Sequence, residues 1–287
     1  MGLNKSNIKF IGNSPLIKSN LYSISSIEEC LKYFKDKEYI QIDTETEGEF
    51  NFSNKILLLQ LGDKNIQFVI DVNTVDCSRL KDLITNTKYL HLLHNAKFDY
   101  KFIKFHFGWE ISNIYDTFLA ECLLINGIEN RKVGLKDVCE KYTGVSLNKE
   151  IRGKINKSNV ISDDIIKYAA EDVHYLEDIR EKQLIEFNKW DGLINVLNLE
   201  NSVVEVLADI EYEGLLLDRG KWSKLADIAK DKIFIYEKEL DVLVSNQNAL
   251  SRKYAGSVQK DLFDESFEKI TSINWSSPLQ VQKVFKD

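Results

Sequence analysis

The sequence predicts a mixed α/β fold, in which helices pack on a sheet, followed by a largely helical region. Three short apolar segments follow one another within residues 39–72, which is typical of the antiparallel start of a sheet. Apolar runs then alternate with helical patterns, as expected where strands and helices alternate along the chain. Beyond residue 190 the apolar residues recur with the helical period only.

Five strands are expected from the apolar runs. They cover residues 39–44, 56–61, 68–72, 89–93 and 114–115. The turn signal at residues 62–65 joins the second strand to the third, so these two form a hairpin. The sheet is therefore expected to begin antiparallel and to continue through strand–helix units.

The predicted helices are marked by their caps. Ser25 or Ser26 can open the first helix, Asp116 is placed to cap the fourth, and Ser162 opens the longest. The helices cover residues 27–34, 78–85, 97–107, 117–125, 134–142, 162–187, a stripe from Val196 to Ile210 that ends at Gly214, and 220–244. Residues 245–272 are polar and poor in pattern, so a mobile connection is expected there.

The composition bounds the class of protein. With 287 residues, 44% of them hydrophobic, the chain can hold one large domain, or one domain and part of a second. The net charge of -7 argues against nucleic-acid binding by bulk electrostatics, although acidic residues can hold metal ions. The four cysteines are widely spaced, which indicates reduced core residues of an intracellular protein. No apolar run suits a membrane span or a signal peptide.

The first candidate for chemistry is the stretch YIQIDTETEG, residues 39–48. Asp43 and Glu45 lie two residues apart at the end of a strand, so they share one face, while Thr44 points to the other side. Two close carboxylates are tolerable if a cation lies near both or one holds a proton. Taken alone, the pattern also fits a strand that runs into a solvated acidic turn.

Two further segments add polar groups with helical spacing. In HNAKFDY, residues 94–100, Asp99 lies about one helical turn beyond Asn95. In YAAEDVHYL, residues 168–176, Tyr168 and Asp172 are four apart, so a phenol and a carboxylate share one face. The motifs together supply four carboxylates: Asp43, Glu45, Asp99 and Asp172. If these converge in the folded chain, such hard oxygen ligands suit Mg²⁺ or Mn²⁺. Spacing alone does not establish that convergence.

These three motifs, in this order, resemble those of the DEDD superfamily of 3′-5′ exonucleases over residues 38–190. The tyrosine at position 168 places the resemblance in the tyrosine subclass, because the histidine subclass has histidine where this chain has Lys167. The resemblance implies an RNase H-like fold, with Tyr168 orienting the attacking water. It also implies two Mg²⁺ or Mn²⁺ ions, whose ligands are listed here: Asp43, Glu45, Asp99 and Asp172.

The remaining segments divide the chain into three parts. Residues 1–37 are expected to form an N-terminal segment that leads into the exonuclease domain, residues 38–190. Residues 200–218 and 273–285 are similar to the start of the polymerase region of family A DNA polymerases, so residues 191–287 are assigned to the helical beginning of that region. Polymerase activity is not expected from this chain alone. Either the chain is a fragment of a longer polymerase, or its partner half is a separate polypeptide.

Weaker signals concern the substrate strand. His94 and Asn95 belong to the second motif and are assigned to substrate binding, with a simple helix cap as the alternative for Asn95. Phe50 and Phe52 can stack on terminal bases or pack in a loop. A basic run can hold backbone phosphates or be a solvated loop. Its members are Lys149, Arg152, Lys154 and Lys157. Glu47, Glu171 and His91 are expected to be bystanders or packed residues.

The expected function is metal-dependent removal of nucleotides from a DNA 3′ end, as in the proofreading part of a family A polymerase. The expected partners are single-stranded DNA or a frayed primer end and a polymerase half, without a membrane, in a bacterial or phage-type cytoplasm or an organelle with its own DNA. A ribonuclease of the RNase D type is the enzymatic alternative. The second alternative is a non-catalytic docking module of a replication complex.

Overall fold

The computed structural model describes residues 3, 6–13, 19–128, 130–148, 161–255 and 271–287. The chain forms two compact units, Met1–Gly214 and Leu215–Asp287. The first unit is a mixed sheet with helices packed on it, so the predicted fold class is confirmed.

A seven-stranded sheet forms the centre of the first unit. Its strands are β1 (Ile8–Ile11), β2 (Ser23–Ile24), β3 (Tyr39–Thr46), β4 (Ile56–Gly62), β5 (Gln67–Asp71), β6 (Leu90–Leu93) and β7 (Ile114–Asp116). They lie side by side in the order β2-β1-β5-β4-β3-β6-β7. Strands β3, β4 and β5 pair antiparallel, as the hairpin signal predicts, whereas β6 and β7 continue the sheet parallel to β3.

The compact unit extends beyond residues 38–190 on both sides. Strand β1 pairs in parallel with β5 along its whole length, so part of the N-terminal segment is built into the sheet. This pairing joins residues almost 60 positions apart, Ile8 with Gln67 and Ile11 with Ile70, which no local pattern displays. At the other side, the helix that ends before Gly214 packs in the same unit.

The helices of the first unit lie close to their predicted positions. They are α1 (Ile27–Phe34), a 3₁₀ turn (Ser78–Leu80), α2 (Lys81–Thr85), α3 (Ala96–Phe107), α4 (Thr117–Leu124), α5 (Leu135–Thr143), α6 (Asp163–His174), α7 (Leu176–Phe187) and α8 (Leu193–Glu213). The side chains of Ser26, Asp116 and Ser162 cap α1, α4 and α6 as expected.

The single long helix predicted over residues 162–187 is wrong in one respect, because it breaks at Tyr175 into α6 and α7. Tyr175 has φ -99° and ψ -2°, at the edge of the right-handed helical region. The side-chain oxygen of Gln41 on β3 accepts a hydrogen bond from the Glu177 amide at 2.9 Å. The first turn of α7 thus gains a partner for an amide that a new helix leaves unpaired.

The core of the first unit lies on both faces of the sheet. Every residue of β5 is buried, and β4 is buried except at Leu57. Helices α1 and α3 cover one face, where Phe34 and Phe102 are fully buried. Helix α6 crosses β3, β4 and β5 on the other face and packs Ile165 and Ile166 against β1 and β4. The carboxyl end of β3 is therefore held between α3 and α6.

The described residues of the second unit form three helices, α9 (Arg219–Ser245), α10 (Asn248–Lys253) and α11 (Pro278–Lys286). A small cluster formed by Val244, Ile273 and Val284 is its buried core. Helix α10 and the bridge between Ala255 and Thr271 fall within residues 245–272, which the sequence assigned to a mobile connection. Residues 256–270 lie outside the described part of the chain. In the described segments, no helix has the length and apolar character required to span a bilayer.

Candidate active site

A cavity of about 270 Å³ opens at the carboxyl end of β3. It brings together the three predicted motifs from β3, from the start of α3 and from α6. The residues that line it are Asp43, Thr44, Glu45, Glu49, His94, Asn95, Phe98, Asp99, Phe118, Gly134, Leu135, Tyr168 and Asp172. All four carboxylates that the resemblance implies as metal ligands thus line a single cavity.

Three of these carboxylates form a tight group. Ligand atoms of Asp43, Glu45 and Asp172 all lie within 4.8 Å of one another. Glu45 and Asp172 are each 7% exposed, whereas Asp43 is half-buried. Strand alternation places Asp43 and Glu45 on one face of β3, and α6 crosses that face and brings Asp172 to it. A divalent ion with a preference for hard oxygen ligands fits such a group.

Asp99 approaches from the other face of the same strand and lies outside this group. Its Oδ1 accepts a hydrogen bond from the Thr44 hydroxyl at 2.7 Å. Alternation along β3 predicts this position for Thr44, since its side chain points toward α3 rather than α6. Burial raises the pKa of Asp99 to about 7, and the hydrogen bond from Thr44 opposes that rise. Thr44 is thus a site residue that the sequence analysis treated only as a spacer.

Tyr168 lies beside the carboxylate group. Burial raises the pKa of its phenol above the usual range, and the negative charges of Asp172 and Glu45 add to the effect. An ordinary tyrosine, with a pKa of about 10, already keeps its proton at neutral pH. Here the phenol is also hydrogen-bonded to the Asp172 carboxylate, so it acts as a donor. This is the form of tyrosine that can hold a water molecule or a phosphate oxygen in place.

Asp116 builds the start of α3 as well as capping α4. Its Oδ1 accepts from the amides of Asn95 and Phe118 at 2.8 and 2.9 Å, and its Oδ2 accepts from the Ala96 amide at 2.8 Å. The carboxylate is 2% exposed, and burial raises its pKa against the lowering effect of these bonds. The sequence predicts the cap of α4 but gives no signal for the link to α3, which lies 20 residues away.

The second motif presents two polar side chains to the cavity. Asn95 occupies the N-cap position of α3 in the left-handed region, with φ 66°, and its side chain makes no capping hydrogen bond. The alternative of a simple helix cap is therefore not supported, and its exposed amide lines the cavity. His94 also lines the cavity, with Nδ1 2.9 Å from the Thr117 hydroxyl and its ring edge-on to Phe118.

Phe50 and Phe52 lie beyond the cavity lining, in an aromatic cluster. The two rings are 5.4 Å apart, and both lie within 6.5 Å of Phe105 and Tyr212. Phe50 also packs edge-on against the buried Phe102 at 5.1 Å, whereas Phe52 remains 60% exposed. Phe50 thus follows the packing alternative, and Phe52 presents an open aromatic surface.

The remaining residues that the sequence singled out lie away from the cavity or outside the described residues. The basic run with Arg152 lies outside the described residues. His91 is a packed residue whose Nε2 lies 2.8 Å from the Leu83 carbonyl. Glu47 accepts a hydrogen bond from the Lys55 amide, and Glu171 lies 3.7 Å from Lys167. Neither carboxylate lines the cavity. Four further residues line the cavity although the sequence did not single them out: Glu49, Phe98, Phe118 and Leu135. Of these, Glu49 directly follows the first motif and Phe98 lies within the second.

A family described as 3′-5′ exonuclease matches residues 20–184. The chain is 31% identical to DNA polymerase I of Aquifex aeolicus over 235 residues, which is 82% of this chain and 38% of that polymerase. It is 27% identical to ribonuclease D of Bartonella henselae over 190 residues, which is 64% of this chain and 46% of that protein. The chain thus spans less than half the length of these curated relatives.

Solved structures share the architecture. The nuclease NrnC of Brucella melitensis superposes with a TM-score of 0.61 at 20% identity and covers 72% of this chain and 94% of its own. At that identity the likeness concerns the fold. The fold is RNase H-like, as the resemblance of the motifs implies.

Proposed function

The chain belongs to the family of 3′-5′ exonuclease domains found in family A DNA polymerases, and we propose that it removes nucleotides one at a time from the 3′ end of a DNA strand. The observation that carries this proposal is the grouping of Asp43, Glu45 and Asp172 around one cavity beside the protonated Tyr168. Separate elements of the fold supply these side chains, so the grouping is a property of the folded chain.

The reaction is hydrolysis of the terminal phosphodiester. Water adds to phosphorus, the bond to the 3′ oxygen of the penultimate nucleotide breaks, and that oxygen takes a proton. The products are a nucleoside 5′-monophosphate and a strand shortened by one nucleotide. Tyr168, held protonated, donates a hydrogen bond that orients the attacking water. Asn95 presents its exposed amide to the terminal nucleotide, because Asp116 holds the backbone of that turn.

Asp43, Glu45 and Asp172 would hold Mg²⁺ or Mn²⁺, and Asp99 would complete the ligand set of a two-ion site. When bound, such ions supply positive charge to the phosphate and acidify the attacking water. Thr44 holds Asp99 in place at 2.7 Å, on the far side of β3 from Asp172. The carboxylates thus approach the reacting phosphate from two helices and one strand.

The choice of DNA rests on the polymerase relatives. Similarity to DNA polymerase I extends over 235 residues at 31% identity, whereas similarity to ribonuclease D extends over 190 residues at 27% identity. The substrate that we propose is a single strand or a frayed primer end, which can reach the carboxylates that line one cavity. The exposed Phe52 offers a stacking surface to a base of that strand. We propose proofreading beside a polymerase half, in a bacterial or phage-type cytoplasm or an organelle, as the setting of this activity.

Hydrolysis of RNA is the second candidate, and the similarity to ribonuclease D favours it. DNA and RNA differ by the 2′ hydroxyl, so a matched pair of single strands distinguishes the two. Faster stepwise loss from the DNA strand supports proofreading. Faster loss from the RNA strand overturns the choice of DNA while leaving the 3′-5′ exonuclease assignment in place.

The residue roles are tested by two neighbouring changes on α6. Asp172→Asn removes one charge from the carboxylate group, and Glu171→Gln removes a charge from the half-buried neighbour that pairs with Lys167. We expect Asp172→Asn to lower the rate by more than the roughly 10- to 100-fold that outer partners of a metal site cost. Glu171→Gln should change it little. Equal rates for the two variants would contradict the assignment.

Two further variants complete the test. The double variant Asp43→Ala, Glu45→Ala should abolish cleavage in a folded chain. Tyr168→Phe keeps the ring and removes the donor, so a loss of about 100-fold is expected, the scale of one positioned donor in an active site. Cleavage should require Mg²⁺ or Mn²⁺ and stop with EDTA. Full activity of the double variant would indicate that the chemistry lies elsewhere.

A further inference from the structure

A second cavity, of about 570 Å³, lies at the opposite ends of the same strands. Its lining includes Leu90 at the start of β6, Ile114 at the start of β7, and residues of α7 and α8. Leu90 is the partner of Tyr39 at the beginning of β3, four residues before Asp43. At roughly 3.3 Å per residue, the second cavity therefore lies more than about 10 Å from the carboxylate group along the strand.

Arg180 on α7 is the cationic side chain of this cavity. Its guanidinium carbon lies 4.9 Å from the centre of the Tyr39 ring and 5.4 Å from that of Tyr115. Among the described residues it forms no ion pair, and its buried Nε has no hydrogen-bond partner. A half-buried cation without a counter-ion is costly, because the guanidinium loses water and gains no charge partner in exchange.

The tyrosine contacts determine which parts of Arg180 remain available. Aromatic rings stack on the flat faces of a guanidinium, whereas its N–H donors point outward in the plane. Arg180 lines the cavity and makes no hydrogen bond among the described residues, so its terminal nitrogens are available to a ligand there. A planar fork of donors matches the oxygen atoms of a phosphate group, and such charge-assisted hydrogen bonds are the strongest a side chain makes.

The remaining wall suits an organic body attached to that phosphate. Leu184 and Ile194 supply apolar surface, and Asn201 and Ser202 on α8 supply polar groups. Asn201 uses its Oδ1 to accept from the Asp116 amide at 3.0 Å, which leaves its amide nitrogen as a donor. The volume lies within the roughly 300–1,000 Å³ typical of pockets for small organic molecules.

One carboxylate, Glu205, also lines the cavity. It makes no ion pair with Arg180. Burial raises the pKa of Glu205, a hydrogen bond from the Asn113 backbone opposes the rise, and the neighbouring charges of Asp209 and Glu110 add to it. Glu205 thus forms no ion pair with Arg180, and its carboxyl group can accept a hydrogen bond from the sugar or base of a ligand.

We propose that this cavity binds a small organic monophosphate of nucleotide size, with the phosphate on Arg180 and the organic body against α7 and α8. The site is separate from the carboxylate cavity. Its existence does not depend on whether the chain hydrolyses DNA or RNA.

The test is binding of deoxyadenosine monophosphate to the full chain by isothermal titration calorimetry, with EDTA present so that the carboxylate cavity holds no metal. Deoxyadenosine and inorganic phosphate are the matched probes. We expect saturable binding of the monophosphate and weaker binding of both fragments. Absence of saturable binding, or equal binding of deoxyadenosine, overturns the proposal.

Variants locate the site. Arg180→Met keeps the length of the side chain and should weaken binding by at least about 10-fold, the loss expected for a charged hydrogen-bond partner. The double variant Asp43→Ala, Glu45→Ala should leave the Kd unchanged. If Arg180→Met does not fold, Ser202→Trp at an exposed position of α8 tests the same site by obstruction. If Arg180→Met or Ser202→Trp folds and still binds the monophosphate as tightly, the monophosphate does not bind in this cavity. Loss of binding in the double variant would likewise contradict the assignment to this cavity.

Discussion

Repulsion among the three grouped carboxylates predicts a stability effect that metal ions should reverse. Ligand atoms of Asp43, Glu45 and Asp172 lie within 4.8 Å of one another. At that separation two unit charges repel by about 1 kcal/mol in water and by about 3.5 kcal/mol at an effective dielectric constant of 20. Glu45 is 7% exposed, so its surroundings lie between these limits.

Glu45→Gln removes one of these charges while keeping the shape of the side chain. Without metal, the variant should therefore be more stable than the natural protein by about 1–3 kcal/mol. With Mg²⁺ or Mn²⁺ the natural protein gains free energy of unfolding by mass action, because the ion binds the folded chain. The variant has lost a ligand and gains less. The order of the two stabilities should reverse between EDTA and metal.

Urea unfolding followed by circular dichroism, in EDTA and in each metal, measures both effects. Glu171→Gln on α6 is the control, since it removes a carboxylate that pairs with Lys167 and does not line the cavity. Metal should raise the free energy of unfolding of Glu171→Gln by the same amount as that of the natural protein. If Glu45→Gln is no more stable than the natural protein in EDTA, the carboxylates are not repelling one another. If metal does not stabilise the natural protein, the grouping is not a metal site.

Three more changes test single features. Asp116→Asn leaves at least one of the amides of Asn95, Ala96 and Phe118 without an acceptor, so the free energy of unfolding should fall by about 1–3 kcal/mol; a loss below the error of urea unfolding would mean that other acceptors replace the carboxylate. Gln60→Met should raise that free energy by about 1–2 kcal/mol, because the fully buried amide has no partner among the described residues; a lower stability would reveal a partner such as a buried water. Phe52→Ala should weaken binding of a single strand by about 1–3 kcal/mol, the worth of one stacked base, and leave stability nearly unchanged because the ring is 60% exposed; unaltered affinity, measured by fluorescence anisotropy, would exclude Phe52 from the substrate surface.

The site could be predicted from the sequence where it depends on local periodicity. The spacing of two between Asp43 and Glu45 fixes a common face on a strand, and the spacing of four between Tyr168 and Asp172 fixes a common face on a helix. Neither spacing states that the two faces meet. That step came from the resemblance of the motifs, and the structure brings three of these carboxylates together by crossing α6 over β3.

What could not be predicted depends on contacts between distant residues. The break at Tyr175 has no glycine or proline beside it, and it coincides with the hydrogen bond from Glu177 to Gln41, 136 residues away. Strand β1 is only four residues long and is fixed by parallel pairing with β5. The link from Asp116 to the start of α3 is of the same kind. Such contacts leave no periodic signal, since each joins a single position to another element.

The pairing of α3 with α8 bears on how the chain would hold a nucleic acid. Helix α3 carries Lys97, Lys101 and Lys104, a basic stripe that would suit phosphates. Yet Lys97 and Lys101 both contact Glu211, at 2.5 and 2.6 Å, and Lys104 contacts Asp209 at 2.7 Å.

These ion pairs are partly exposed, so each adds little to stability. Their main effect is to neutralise the stripe, which agrees with a chain whose net charge is -7. Bulk attraction between this helix and a phosphate backbone is therefore weak. For the proposed strand end, we therefore expect contacts in the cavity and stacking on Phe52 to contribute more affinity than this helix does. This favours recognition of a short unpaired terminus over recognition of a long duplex.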